Sequence, residues 1–282
     1  MTKRVWAIAM LAAAIVAAAV AGCGSDSGSS TSTSGAASGQ MVMATTTSTR
    51  DTGLLDTLVP AFEKATDCSV KTVAVGSGQA LDLGARGQAD VLLVHSPDAE
   101  QTFMKQGHGL SRKAVMHNDF VLVGPPADPA KTARAGGIEP ALQAIARTKS
   151  AFASRADDSG TNAKELKLWQ QAGITPSGSW YIKTGQGMGP TLTIANQKGA
   201  YTLSDRGTFL ATKNLDSRII VQGDPQLLNP YHVIVVKHQG TNVGCAKALS
   251  DWVTSAPTQK LIGGFGKSRY GQALFHPDAG AQ

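Results

Sequence analysis

Met41-Val-Met-Ala-Thr-Thr-Thr-Ser-Thr-Arg-Asp51 is a short apolar run that passes directly into a block of hydroxyl side chains at Thr45–Ser48. Leu54, Leu55, Leu58 and Phe62 then recur at helical spacing. The pair reads as strand, polar turn, helix. The pattern repeats. Val70–Val75 is followed by Gly76-Ser77-Gly78 and a short helix carrying Ala80, Leu81 and Leu83. Ala89–Val94 is followed by His95-Ser96-Pro97 and a helix ending near Gln106-Gly107. Strands alternating with helices predict an α/β fold with a largely parallel sheet. Polar loops at the carboxyl ends of such strands are where ligands bind.

The alternation continues outward. Asn118–Val123 reads as a strand ending at the Gly124-Pro125-Pro126 break, and Asn229-Pro230 makes a second break before the strand Tyr231–Val236. Between them lie a helix over Glu139–Thr148, a strand at Ala151–Ala153, and a helix opened by Gly185-x-Gly187-x-Gly189. The two breaks are expected hinge crossings. Residues 41–124 and 231–282 would form a discontinuous first lobe and residues 125–230 a second. Each lobe would be a mostly parallel sheet flanked by helices, with a ligand cleft between the lobes. Closure about the two crossings is the expected motion.

Apolar residues make up 42% and charged residues 16% of the 282, a globular balance that excludes a disordered chain. Lys and Arg exceed Asp and Glu by six, a mild field that attracts anions. There is no basic run and aromatics are only 5%, which argues against nucleic-acid binding. Residues 1–23 read as a targeting segment: Lys3-Arg4, an apolar Val5–Val20, then Ala21-Gly22-Cys23. The ending resembles the lipobox of bacterial lipoproteins, with Cys23 as the lipidated residue. A plain signal peptide and an uncleaved anchor helix are the alternatives. All three place the body outside the cytoplasm. Residues 24–40 are Gly/Ser/Thr/Ala-rich and predict a flexible tether. Cys68 and Cys245 remain, either as a disulfide in an oxidising compartment or as two buried thiols. No Cys or His spacing suggests a metal cation site.

The second lobe supplies Arg155-Ala-Asp-Asp-Ser-Gly-Thr161. Ser159 is placed to cap the following helix, whose start leaves N–H groups unpaired and carries partial positive charge. With Arg155, Gly160 and Thr161 it makes a compact oxyanion site. Thr46, Thr47, Ser48 and Ser77 offer the same hydroxyl chemistry from the first lobe. Asp157 and Asp158 read as loop or capping residues, and Trp169 and Trp180 as packing. The Gly185-x-Gly187-x-Gly189 stretch lacks the strand and acidic partner of a dinucleotide fingerprint.

The Arg155-x-x-x-Ser159-Gly-Thr161 pattern resembles periplasmic phosphate-binding proteins. A fuller set resembles the tungstate-binding proteins of tungstate ABC transporters. It comprises Ala44–Thr49, Thr52–Asp56, Val75–Leu81, Ala89–His95, Asn118–Pro125, Ser154–Thr161, Gly187–Leu192, Tyr201–Thr208 and Asn229–Val235. That resemblance implies a type II periplasmic-binding-protein fold and capture of tungstate, or of molybdate as a close mimic. It further implies delivery to a membrane permease driven by an ATPase, no cofactor, and a monomeric, lipid-anchored receptor outside the cytoplasm. It carries the ligand contacts to Thr46 or Thr47, Ser48, Ser77, Arg155, Ser159 and Thr161. Ala156 departs from an expected Gly, and Asn162 from an expected His. Phosphate binders resemble each other in an acceptor Asp at the end of the third strand, where this chain reads Val94-His95-Ser96. A site without that carboxylate suits an anion without protons. Asp98 swinging in, or a neutral His95 accepting, would weaken that reading. Molybdate, sulfate or phosphate binding on the same architecture is the alternative. A surface-anchored hydrolase using Ser77 or Ser159 with His95, and a non-catalytic adhesin or sensor, are readings from other classes.

Overall fold

Residues 37–280 are described by a computed structural model of the chain. The targeting segment, Cys23 and most of the expected tether lie outside them. In order, the elements are β1 (Ser38–Thr46), α1 (Thr47–Asp51), α2 (Leu54–Ala65), β2 (Asp67–Val75), α3 (Ser77–Ala85), β3 (Val91–Val94), α4 (Pro97–Lys105) and β4 (Gly109–Gly124). Then come α5 (Ile138–Thr148), β5 (Phe152–Ser154), α6 (Gly160–Gln171), β6 (Tyr181–Lys183), α7 (Met188–Lys198), β7 (Thr202–Asp205), α8 (Arg206–Ala211) and β8 (Arg218–Val221). The chain closes with β9 (Leu228–Val236), α9 (Val243–Val253), α10 (Ala256–Gly264), α11 (Lys267–Tyr270) and β10 (His276–Pro277).

The fold is mixed α/β in two lobes. In the first, β2, β1 and β3 run parallel, as the strand–helix alternation predicts, and β9 and β4 continue the sheet antiparallel. In the second, β5 and β6 are parallel, and Phe152 bridges to Tyr201 just before β7. The long strand β4 joins the lobes. Its residues up to Asp119 pair with β9, whereas Phe120–Gly124 pair with β7 and β8. The change of partners therefore falls inside a strand, before the Gly124-Pro125-Pro126 break. The Asn229-Pro230 break is likewise strand, facing Asn118 and His117. Proline is accommodated there because that end of β9 has β4 as its strand partner and no ladder on the other side.

Each lobe buries its own core. Met43, Leu54, Phe62, Val91, Val233 and Phe275 pack in the first. Phe120, Leu142, Ile145, Phe152, Trp169 and Tyr201 pack in the second. Trp169 is fully buried with Trp180 edge-on against it, so both serve packing. The tether expected to reach Gln40 stops earlier. Ser38, Gly39 and Gln40 pair with Asp67, Cys68 and Ser69, and the Asn242 amide donates to the Ser38 and Gln40 carbonyls. These backbone hydrogen bonds order a sequence with no apolar anchor of its own. Cys68 and Cys245 are bonded to each other, tying the start of β2 to the first turn of α9. That staple lies at the amino end of β1, and the polar turns lie at the carboxyl ends.

Candidate oxyanion site

Three strand-to-helix turns meet between the lobes. Thr46 ends β1 and caps α1, accepting from the Thr49 N–H at 3.3 Å and sharing a hydrogen bond with Ser48 Oγ at 3.2 Å. Ser77 opens α3 behind Gly76. Its Oγ is buried with no hydrogen-bond partner. Across the cleft, Ser159 caps α6, accepting from the Asn162 N–H at 3.1 Å. Thr161 Oγ1 is also buried and unpartnered. Buried hydroxyls normally find partners, so two at facing helix starts mark donors kept for something else.

Gly160 shows how close the lobes come. A Cβ there would lie 2.8 Å from the His95 ring and 2.9 Å from Ser77 Oγ. A Cβ at Gly78 would lie 3.0 Å from the Asp158 carbonyl. Only glycine lets the turns before α3 and α6 approach this far. Gly187, the N-cap of α7, also faces Thr47, but with its Cβ position at an ordinary 3.7 Å from Thr47 Oγ1. The glycine-rich stretch is thus a helix start at the lobe interface.

Arg155 is 3% exposed and follows β5. Its Nη2 donates across the cleft to Thr47 Oγ1 at 3.4 Å. Within its own loop it pairs with Asp157, Nη2 at 2.6 Å and Nε at 3.2 Å from Oδ2. Asp157 keeps the expected loop role, its Oδ1 accepting from the Ser159 N–H at 3.3 Å, and adds the ion pair with Arg155. The pairing needs a sharp turn. Ala156 and Asp158 have φ of 47° and 55°, the left-handed region that favours glycine. This is the physical reason a Gly is expected at position 156. Beneath Arg155, Glu165 of α6 is buried and accepts from Ser154 Oγ at 2.6 Å, Tyr181 Oη at 2.7 Å and Trp169 Nε1 at 2.9 Å. It fixes the end of β5 from which Arg155 emerges. Burial pushes its carboxyl up, with those donors opposing.

His95, at the end of β3, is neutral. Burial first, and Arg155 second, pull it down to about 3. Asn229 Nδ2 donates to Asn118 Oδ1 at 2.6 Å, so Asn229 Oδ1 accepts from His95 Nδ1 at 3.0 Å. Nε2 is left to accept from Ser48 Oγ at 3.4 Å, so the neutral imidazole expected as a competing acceptor is turned to Ser48. Asp98 does not turn inward. It pairs with Lys167 of α6 at 2.8 Å on the outer edge of the cleft. The sequence reading missed Asn118 and Asn229, which arrive on the two crossing strands. It also missed Asp205, a fully buried carboxyl at the end of β7 that feels the Arg155 charge. Their signal was the polar Asn and Asp inside otherwise apolar strands.

Residues 29–257 match the PBP superfamily domain model. The chain is 51% identical over 247 residues to the tungstate-binding protein TupA of Peptoclostridium acidaminophilum, covering 86% of each. The chain belongs to the family of tungstate-binding proteins of ABC transporters. Two solved structures are similar throughout. One is the tungstate ABC transporter protein of Geobacter sulfurreducens, at 46% identity and TM-score 0.72, covering 79% of this chain and 97% of that one. The other is TupA of Desulfovibrio alaskensis, at 42% identity and TM-score 0.71, covering 85% and 99%. The two-lobed α/β architecture expected from the alternation is the periplasmic-binding-protein fold of these relatives.

Proposed function

We propose that this member of the family captures tungstate outside the cytoplasm and delivers it to the permease and ATPase of an ABC transporter. The observation that carries the reading is that the turns holding Ser77 and Thr161, whose hydroxyls are both buried without partners, meet at Gly76 and Gly160 between the two lobes, with Arg155 reaching across the same cleft to Thr47. Hydroxyls, helix-start N–H groups and one guanidinium are a donor set for a small tetrahedral oxyanion. The contacts are Thr46 or Thr47, Ser48, Ser77, Arg155, Ser159 and Thr161, with Gly160 keeping the gap narrow. The lobes hinge where β4 changes partners near Asp119 and where β9 returns near Leu228. No cofactor takes part. Relatives named as tungstate-binding proteins support tungstate over sulfate or phosphate, and molybdate is its nearest competitor in size and charge.

The protein is not an enzyme on this reading. Ser48, His95 and Asn229 line up as a nucleophile, base and orienting group would. A base should titrate near the working pH, and His95 sits at about 3. The imidazole therefore accepts from the Ser48 hydroxyl and orients it without taking its proton. Calorimetric titration of the mature protein against tungstate, molybdate, sulfate and phosphate tests the function. Tight tungstate binding is expected, with sulfate and phosphate much weaker. Equal affinity for phosphate, or ester hydrolysis lost on His95→Ala, would overturn it. Cys23 is the lipidation site that anchors the monomeric receptor to the membrane. Palmitate labelling lost in Cys23→Ala checks it.

A further inference from the structure

Asp205 is a second carboxyl at the site, from a different strand than the one where phosphate binders carry theirs. It ends β7 as the register partner of Phe120 and caps α8, accepting from the Thr208 N–H through Oδ2 at 2.8 Å. It is 0% exposed, and Oδ1 has no hydrogen-bond partner. Two more polar atoms on the same wall are also buried and unpartnered, Asn118 Nδ2 on β4 and Thr208 Oγ1 on α8. This wall adjoins the oxyanion donors. Tyr231, whose ring packs 4.6 Å from His95, feels the Asp205 charge, and so does Arg155.

The surrounding charges do not neutralise Asp205. Arg155, from the β5–α6 loop, is the cation acting on it, and that guanidinium is already paired with Asp157. Arg206, next in α8, turns away to Asp119 at 2.6 Å. On α1, Arg50 and Asp51 pair with each other. Glu165 of α6 is held by three donors of its own. Burial pushes the Tyr231 phenol on β9 up, so it stays a neutral hydroxyl. His95 is neutral as well. The Thr208 N–H and hydroxyl and the Arg155 charge oppose burial, yet burial wins, and an ionised Oδ1 here would be a desolvated charge without a well-formed hydrogen bond. A bound dianion would then add like-charge repulsion. A protonated Oδ1 removes both costs and turns an unpartnered acceptor into an O–H donor.

We propose that Asp205 is held as a neutral carboxylic acid in the loaded receptor and donates a hydrogen bond to the captured oxyanion, which makes it a specificity group for fully deprotonated anions. The inference rests on the oxyanion-binding reading above. A proton missing from Asp205 in the free protein at high pH is drawn from solvent on binding, so affinity falls as pH rises. The opposite role, an ionised acceptor for a protonated anion, would favour hydrogen phosphate.

The test uses the mature protein and Asp205→Asn, whose amide keeps both a donor and an N-cap. Difference infrared spectra of tungstate-bound against free protein should contain a protonated-carboxyl C=O band that Asp205→Asn removes. Tungstate affinity should fall at most about tenfold per pH unit at alkaline pH in the native protein. The variant should bind within about tenfold of it at neutral pH and lose that pH dependence. A loaded native protein without such a band, or a variant that keeps the band, would overturn the proposal. Phosphate overtaking tungstate in the native protein and falling away in Asp205→Asn would overturn it in favour of the acceptor role. Failure of the native protein to bind tungstate by calorimetry would instead sink the functional reading, so the two failures are distinct.

Discussion

Gly160→Ala isolates lobe closure from ligand chemistry. The added methyl would sit 2.8 Å from the His95 ring and 2.9 Å from Ser77 Oγ, whereas ordinary contact starts at 3.4 Å. The lobes must separate by about 0.6 Å, or two buried side chains must shift together. Neither neighbour is free to move. His95 is held by Asn229 at 3.0 Å, and Ser77 opens a packed helix. Overpacking of this kind costs about 1–3 kcal/mol. The cost falls on the closed form alone, because opening the cleft relieves it. It should therefore appear as a roughly 5- to 150-fold weaker Kd, mostly through faster release. Calorimetry gives the Kd and stopped-flow dilution the off-rate. The Tm without ligand should hold, since alanine suits a first helical turn. Gly189→Ala, in the next helix start with open space around it, is the control and should stay within about twofold. Native affinity and off-rate in Gly160→Ala would refute the account of closure.

Further outcomes follow from the same geometry. Cys68→Ser/Cys245→Ser opens a loop of 177 residues, so stability should fall by about 2–5 kcal/mol in urea unfolding. Tungstate affinity should not change, because the bridge lies at the far end of β1 from the site. The His95 value of about 3, lowered from 6.5, means the unfolded chain binds a proton that the folded one refuses. His95 therefore subtracts stability as pH falls from 6.5 toward 3, by about 1.4 kcal/mol per pH unit at most. Thermal melts of His95→Gln should be flatter than native over that window. Equal slopes would contradict a buried neutral imidazole.

The strand–helix alternation was legible because apolar period and turn chemistry agree from Met41 to Val94. The three strand-to-helix turns were legible because each sets its own hydroxyls or glycines within a few residues of a helix start. The first half of β4 was not. Ser111, Arg112, Lys113 and His117 interrupt its apolar pattern, and its register shifts twice against β9. Burial there comes from tertiary pairing, for example Arg112 with the fully buried Glu100 at 2.8 Å. β8 was unread because four residues, Arg218–Val221, carry too little period. Asp157 reads as a loop or capping residue, and its Oδ1 accepts from the Ser159 N–H. Its pairing with Arg155 was not legible, because it depends on the left-handed Ala156 between them. Asp205 was missed because a cap and a ligand group look alike in sequence. The unpartnered second oxygen distinguishes them.

Arg155 is where these lines cross. It is buried, spans the cleft to Thr47, and acts on both His95 and Asp205. Calorimetric titration of Arg155→Ala with tungstate tests the central claim directly. The account predicts a loss of about 2–5 kcal/mol in binding, with a cooperative fold retained. Unchanged tungstate affinity in a folded Arg155→Ala protein would contradict it.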